Sequence, residues 1–470
     1  MTLNRRTLLA ATGAGAALGM TNGFFPAAAS AAEETSTSPN ESHVLGYIGT
    51  GIRFHTALGG QGLEFGRAKR VCDVDATQAG RALQKIMDVS REKKYPLNTQ
   101  IHEDYEHALD DKEIDTVIIA SPDQWHTKQV IDAMRAGKDV YCEKPLTLTI
   151  AEGTLIEKVM EETGRILQIG TQQRTEFGSR FVTAAAMMRE KRVGDLKLVT
   201  VCIGGSRPAV EMPKAEPPKH LNWDKWQGQC QWKDYRSLAE VTDVEGWGAG
   251  HPFSRAHRYY RWFYEYSGGK LTDWGAHHVD IAMLAMDKLG DDIGNVTIDP
   301  ISVEHPVEFV DGMPQSEDRF NCATKFSVMV TFADGTKMHI RDRADDKGFE
   351  NGIMFEGTAG RYLVNRGKLV GKPVEMLKEK PLGGDPYEIV YDRPKPKSHM
   401  AHFFECVKTR KQPISDVRSH NAMLNVCHAV NIAMRLGRKL TYDPATRTFV
   451  GDEQANTFVS REARKGYEVV

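Results

Sequence analysis

The chain has 470 residues, 26% of them charged, and a formal net charge of −2. Its lysines and arginines are scattered rather than gathered in a stripe, so nucleic acid and anionic membrane are poor partners and a small neutral ligand fits better. Its 7 cysteines, odd in number and without a C-x-x-C pair, supply neither a disulfide framework nor a zinc site; Cys72 and Cys142 fall in apolar, strand-like runs and read as buried thiols.

At the start, Asn4-Arg5-Arg6-Thr7-Leu8-Leu9 sets two arginines before an apolar run, residues 8–20, too short to span a bilayer as a mature helix. It reads as a twin-arginine signal, with Ala29-Ser30-Ala31 as an A-x-A cleavage site. Residues 1–31 are then a leader for a protein exported already folded, and 32–42 a polar tether. The mature protein is expected in the periplasm or otherwise exported, with the twin-arginine translocase as partner and no membrane attachment. What remains exceeds the ~250–300 residues at which single cores stop growing. Two domains are expected, 43–173 and 174–440, followed by an extension, 441–470.

From residue 43, strand and helix signals alternate in the order that builds a parallel sheet. Strands are predicted at 44–48, 68–74, 114–120, 139–142 and 166–169, and helices at 76–87, 124–136 and 150–162. Such a doubly wound sheet binds ligands at the carboxyl ends of its strands. Gly49-Thr50-Gly51 follows the first strand directly, where backbone N–H groups and a helix N-terminus can receive a pyrophosphate; alone, the glycine pair reads equally as a turn. A third small residue would fall at position 54, where Phe54 stands, so helix and strand are not expected to approach in the usual way. Asp73, ending the second strand, is placed to accept both ribose hydroxyls of an adenosine, or else to close a turn. A 2′-phosphate there would meet a carboxylate, so NAD is favoured over NADP.

Glu143-Lys144-Pro145 ends a later strand. A lysine there, held extended by the proline after it, projects its ammonium into the ligand crevice; the alternative is a solvated surface lysine. Gly49-x-Gly51, Asp73, Ser121-Pro122-x-x-x-His126, Glu143-Lys144-Pro145 and Gly170-Thr171-Gln172-Gln173-Arg174 together resemble the glucose-fructose oxidoreductase/inositol dehydrogenase family, written Gfo/Idh/MocA. The likeness runs from about residue 43 into the 430s. It implies an α/β N-terminal Rossmann domain followed by an α+β domain with a largely antiparallel open sheet. It also implies NAD held by Gly49, Thr50, Gly51, Asp73, Ser121, Pro122, His126, Glu143 and Lys144, with Lys144 between the nicotinamide and the reacting hydroxyl.

After Arg174 a helix is predicted at 178–189, then alternating strands. Phe326, Val328, Val330 and Phe332 face one way, Lys325, Ser327, Met329 and Thr331 the other, and Asp334-Gly335 turns the chain into 338–340. With further strands at 197–203, 296–303, 353–356 and 361–364, a largely antiparallel sheet with one buried face is expected. In the resembling family the other face packs on a second subunit, which implies a homo-oligomer. Helices at 399–409 and 419–436 should pack back on the nucleotide domain. Residues 207–268, rich in Trp, Pro and Gly, lack periodicity, and so long a stretch is usually functional; it should wall the active site. Trp223, Trp226, Trp232, Trp247 and Trp262 either stack on sugar faces or fill an irregular core.

The run from Gly268 to Asp280 carries chemistry. A helix over 273–288 would place Asp273, His277 and Asp280 on one face, so that Asp273 orients His277 and supports its charge as a general base. A helix cap at Asp273 and a packed histidine are the alternatives. No third ligand comes at metal-like spacing, so no metal is expected, with His251 and His257 left open. These residues suit hydride exchange between a sugar or cyclic polyol and nicotinamide: His277 takes the hydroxyl proton, Lys144 stabilises the alkoxide and Asp273 orients the ring. Gln172, Arg174, His278 and Tyr266 are candidate readers of substrate hydroxyls, and Tyr264 or Tyr266 an alternative acid.

An exported enzyme meets no reliable pool of free NAD, so the cofactor is expected to stay bound and be restored in the site. Exchange between two sugars achieves this, and so does redox-neutral cleavage of a glycoside; the NAD-dependent glycosidases resembling this family usually lack the Glu-Lys-Pro lysine. A non-catalytic sugar-binding protein would have no need of Lys144, Asp273 and His277 together.

Overall fold

Six short segments pair side by side, all in parallel: β1 (His43–Ile48), β2 (Gly66–Cys72), β3 (Gln100–His102), β4 (Thr116–Ile119), β5 (Asp139–Cys142) and β6 (Leu167–Ile169), in the order β3-β2-β1-β4-β5-β6. Val71, Val117, Ile119, Val140 and Cys142 are fully buried because helices cover both faces of the sheet, which is why the strands read as unbroken apolar runs. The computed structural model describes residues 42–242 and 252–469. The twin-arginine leader, the tether, Trp247 and His251 lie outside the described residues.

The helices start where local chemistry dictates. Asp75 caps Ala76–Lys93 by accepting from the N–H groups of Thr77 and Gln78, and a Thr149/Glu152 capping box opens Ile150–Thr163, which Gly164 closes at φ 61°. The first helix solves the problem set by Phe54. That ring is buried edge-on against Tyr47, centroids 5.0 Å apart, and the chain from Phe54 to Leu58 widens into a π-helical turn whose next N–H, at Gly59, bonds back to the Phe54 carbonyl. A Cβ at Gly59 would lie 2.7 Å from the Phe54 ring, and one at Gly62 would lie 2.4 Å from Tyr47 Oη. The close approach is thus kept, with the small residues moved along the helix.

Among the described residues a second sheet runs in the order Leu369–Val370, Gly360–Val364, Gly352–Gly357, Leu196–Cys202, Lys337–Arg341, Lys325–Thr331, Val296–Glu304, Leu440–Asp443, Thr448–Phe449. Every neighbouring pair is antiparallel except Leu196–Cys202 with Lys337–Arg341. Phe326, Val328, Val330 and Phe332 face the core, as their alternation predicts. The helices Arg180–Arg189, Gly275–Ala285 and Val417–Leu436 lie in that core. Residues 440–449 join the sheet edge instead of starting an appendage, because Leu440 and Tyr442 alternate inward opposite Ile298 and Val296. His399–Thr409 packs on the first domain through Met400, Phe403 and Phe404, in one cluster with Leu45, Tyr47 and Val71. All seven cysteines are buried and unpaired. No helix among the described residues is long and apolar enough to cross a membrane.

Candidate active site

The carboxyl ends of β1, β2, β4 and β5 open into one cleft of about 1040 Å³, above the ~300–1,000 Å³ of small-ligand sites and roomy enough for a dinucleotide with a second ligand beside it. Gly49 takes φ +76°, and a Cβ there would stand 2.3 Å from the Ser121 backbone nitrogen, so only glycine lets these two chain segments meet. At Gly51 a Cβ would meet nothing within 4 Å, because that residue borders the cleft. Between them, Thr50 donates its N–H and its hydroxyl to Asp73 Oδ2 at 2.7 and 3.0 Å, and the Asp75 N–H donates to Asp73 Oδ1 at 2.9 Å. Burial raises the Asp73 pKa and these donors oppose the rise. Asp73 therefore braces the glycine loop as well as lining the cleft. The open rim at Gly51 and the carboxylate beyond it fit the pyrophosphate and adenosine ribose of NAD.

The two turns after β4 and β5 are tied together. Buried His126 sits with Nδ1 2.6 Å from the Pro145 carbonyl and Nε2 2.9 Å from the Ser121 carbonyl, and the Ser121 hydroxyl donates to Gln129 at 2.6 Å. Glu143 Oε1 accepts from Arg53 Nε at 2.7 Å and from Gln172 Nε2 at 2.8 Å. Burial would raise the Glu143 pKa, but Arg53 and Lys144 hold it below its ordinary value. Ser121, Pro122, Glu143, Lys144 and Gln172 all line the cleft.

Lys144 crosses to the second domain and donates to Asp273, at 2.6 Å to Oδ1 and 3.0 Å to the carbonyl oxygen. The expected partnership of Asp273 with His277 is not formed. The helix breaks at Trp274 into Gly269–Asp273 and Gly275–Ala285, and the carboxylate turns to the ammonium, a charged donor that outcompetes a neutral ring. Burial would raise the Asp273 pKa, yet Lys144, Arg261 and Lys270 hold it well below the carboxylate range. His277 Nδ1 is buried with no partner among the described residues, and the ring lines the cleft. Burial lowers its pKa well below the ordinary histidine value and the nearby Lys144 and Arg366 lower it further, so the ring is neutral at neutral pH. A neutral imidazole beside a fixed ammonium can accept a proton while the ammonium receives negative charge.

Four predicted substrate residues lie elsewhere. Arg174 is fully buried in a two-pronged pair with Asp280, Nε to Oδ2 at 2.9 Å and Nη2 to Oδ1 at 2.5 Å, and Nη1 donates to the Ile414 carbonyl and Ser419. That pairing also removes Asp280 from the expected face. His278 is buried between Gln173 and Asn351; the Tyr266 hydroxyl donates to Gln227 at 3.1 Å, and Tyr264 lies under Arg435 beside His305 and Asn431. All four have satisfied interior contacts, and none borders the cleft.

The described parts of 207–268 do wall the cleft. The short helix Trp223–Gln227 and the 3₁₀ helix His257–Trp262 place Lys225, Trp226, Tyr260, Arg261 and Trp262 on it. Trp223, Trp226 and Trp262 belong to one aromatic cluster, while Trp232 is 53% exposed. The segment 220–227 is bonded across the strand ends: Asn222 N–H to the Val74 carbonyl, Ala76 N–H to the His220 carbonyl, and Gln124 and Trp125 side chains to the Trp226 carbonyl. His257 Nε2 and His220 Nδ1 meet Asp75 at 2.7 and 3.0 Å. Residues 461–467 close over this segment, with Arg464 and Tyr467 both on Asp224 at 2.5 and 2.9 Å. Among the described residues no His, Cys, Asp and Glu group is placed to hold a metal ion.

Sequence reasoning missed Arg53, Lys270, Trp274 and Arg366 in the cleft. Lys270 and Trp274 stand inside the motif already singled out, whereas Arg366 sits in a turn after Gly360–Val364 with no local signal.

Comparison with known proteins places these features in a family. Residues 57–171 match its NAD-binding Rossmann fold. The chain is 37% identical to scyllo-inositol 2-dehydrogenase (NAD(+)) of Bacillus subtilis (strain 168) over 186 residues, 38% of this chain and 50% of that one. It is 30% identical to an alpha-N-acetylgalactosaminidase of Shewanella oneidensis over 153 residues, 32% of this chain and 33% of that one. The chain thus spans half or less of the length of these curated relatives. The solved WlbA dehydrogenase of Bordetella pertussis, in complex with NADH and UDP-GlcNAcA, shares the fold, with TM-score 0.55 and 16% identity over 85% of this chain and 98% of that chain. Residues 207–469, more than half of the chain, match the C-terminal alpha/beta domain of the same family, so the chain belongs to the Gfo/Idh/MocA oxidoreductase family.

Proposed function

We propose that this protein is an NAD-dependent oxidoreductase acting on a CH–OH group of a sugar, sugar derivative or cyclic polyol, with its cofactor kept and recycled in the site. The observation that carries the reading is the meeting of the Lys144–Asp273 pair and neutral His277 in the same cleft as the Gly49–Asp73 loop. Bound NAD supplies the hydride acceptor. The chain's own residues manage the hydroxyl: Lys144 holds the substrate oxygen and offsets its charge as it becomes an alkoxide, and His277 takes the proton through Nε2. Asp273 fixes the ammonium's position. The substrate loses a hydride from carbon and a proton from oxygen, and becomes a carbonyl compound.

The twin-arginine signal supports an exported, periplasmic protein, and export supports a closed cofactor cycle. The bonded segments 220–227 and 461–467 favour the same conclusion, since a dinucleotide bound beneath them would leave only after these bonds break. The half-buried outward face of the second sheet supports a homo-oligomer. A second reading, redox-neutral glycoside cleavage, is favoured by the likeness to the Shewanella glycosidase; the presence of Lys144 weighs toward oxidoreduction.

The test is stoichiometric. Purified protein should release NAD on denaturation, and with one suitable sugar it should form at most one equivalent of bound NADH, which decays when a second sugar or keto-sugar is added. Many equivalents of NADH from added NAD, without an acceptor, would overturn the closed cycle. Export is tested by replacing Arg5 and Arg6 with lysine, which should leave a folded, NAD-containing precursor in the cytoplasm.

A further inference from the structure

We propose that Arg261 is a positioning residue for the reaction: it shares the charge of Asp273 Oδ1 with Lys144, so that the carboxylate aims the ammonium without neutralising it. This deepens the oxidoreductase reading and rests on it for the chemistry, while the arrangement itself is carried by residues of the cleft wall.

Asp273 Oδ1 faces two cations, Lys144 Nζ at 2.6 Å and Arg261 Nε at 3.7 Å. All three residues line the cleft. Arg261 comes from the 3₁₀ helix His257–Trp262, and its guanidinium is held by more than Asp273: Cζ lies 4.7 Å from the centroid of the Tyr260 ring, and Nη1 donates to the Arg258 carbonyl at 3.1 Å. Tyr260 is fixed in turn by the first domain. Its hydroxyl donates to Asp123 Oδ1 at 2.8 Å, and the Ser267 hydroxyl donates to Asp123 Oδ2 at 2.6 Å. Burial keeps the phenol protonated and hence a donor. Asp123 opens the helix Asp123–Arg135 that follows Ser121-Pro122. The first domain therefore reaches Asp273 by two routes, directly through Lys144 and indirectly through Asp123, Tyr260 and Arg261.

Charge balance decides what Arg261 does. A carboxylate 2.6 Å from an ammonium steadies it, but the same contact offsets the positive charge that a developing alkoxide needs. A second cation on the same oxygen draws on that negative charge and leaves the three groups net positive. Against burial, Lys144 and then Arg261 hold the Asp273 carboxyl well below its ordinary range, so the carboxylate stays charged. At 3.7 Å the Arg261 contact is too long for a hydrogen bond and acts through charge alone. An arginine suits this task, because its guanidinium is always charged and rests on an aromatic face, whereas a lysine is a mobile point charge. Arg261 has no need to touch the substrate.

The test uses the NAD-loaded enzyme with D-glucose, D-galactose and scyllo-inositol as probes. Formation of bound NADH in a single turnover is read by absorbance, and sugar affinity separately by tryptophan fluorescence. Arg261→Met should slow the hydride step roughly 10- to 100-fold, the worth of one contact with a charged group, with sugar affinity and NAD content unchanged. Arg261→Lys should recover part of the rate. Because Arg261 acts through Asp273, adding Arg261→Met to Asp273→Asn should cost little more. Tyr260→Phe keeps the ring and loses the Asp123 bond; it should give a smaller loss of the same kind, and it decides the matter if Arg261→Met does not fold. A rate within a few-fold of wild type, a loss confined to affinity, or full additivity with Asp273→Asn would overturn the role and leave the oxidoreductase reading in place. If no probe reduces the wild-type cofactor, the oxidoreductase reading fails, and the arrangement is judged by urea melts of the same variants: coupled effects of Arg261→Met and Asp273→Asn on the midpoint support it, and additive effects overturn it.

Discussion

Lys144 and Asp273, 129 positions apart in the chain, meet through two hydrogen bonds, so the lysine that ends a strand of one domain is aimed by a helix of the other. The proposed catalytic set is therefore a property of the domain junction. It depends on residues of both domains meeting.

The first prediction follows from which group Asp273 orients. Asp273→Asn should slow formation of bound NADH about as much as Lys144→Ala, each by roughly 10²–10⁴, with NAD content intact. His277→Ala should cost a similar factor by removing the base. Single-turnover absorbance measures all three, and an Asp273→Asn rate within a few-fold of wild type would refute the assignment.

A second prediction concerns pH. The folded His277 pKa lies well below 6.5, so the neutral base persists through pH 6.5 and the rate should fall only at more acidic pH. Stability behaves differently. The unfolded chain takes up the proton first, near pH 6.5, so this histidine's contribution is present above that pH and is lost as pH falls below it. His278, His399, His420 and His428 are depressed in the same sense by burial. Melting temperature should therefore drop between pH 6.5 and 5 while the catalytic rate at permissive temperature holds.

Asp73→Ser makes a third case, because the carboxylate has two tasks. Its loss should relax the preference for NAD over NADP, measured as cofactor retained after reconstitution. Loss of the Thr50 and Asp75 bonds should also lower stability, by about 1.5–3 kcal/mol for a charged acceptor. A variant with altered cofactor preference and unchanged melting temperature would show that the brace is unimportant.

The fourth prediction is steric. Gly59→Ala would drive a Cβ to 2.7 Å from the Phe54 ring and should destabilise the protein by about 1–3 kcal/mol, the range for overpacking. Phe54→Leu in the same chain should recover part of that loss, because the smaller side chain clears the site. Denaturant melts of the single and double variants measure the coupling; additive effects would contradict it.

Much of this was legible in local pattern. The alternation of Phe326, Val328, Val330 and Phe332 and the run through 139–142 each report a burial that depends on one strand alone, so they were read correctly. The Lys144, Asp273 and His277 cleft was legible in membership and not in pairing. Helical spacing places Asp273 beside His277, and only the tertiary approach of Lys144 decides which of them the carboxylate serves. Arg174, His278, Tyr264 and Tyr266 failed for a related reason: a polar side chain near a motif satisfies itself on whatever the fold brings, here Asp280, Asn351, Asn431 and Gln227. Arg366 was illegible because its partner ring, Trp274, is far away in sequence.

The bonded cover formed by 220–227 and 461–467 also bears on how cofactor preference is to be measured. If a dinucleotide leaves only when Asn222, Trp226 and Asp224 release their partners, occupancy in a purified sample records the nucleotide pool of the compartment where the chain folded. Titrating added NAD or NADP into such a sample reports the opening rate of the cover. A true affinity ratio requires stripping the protein and refolding it with both nucleotides in competition.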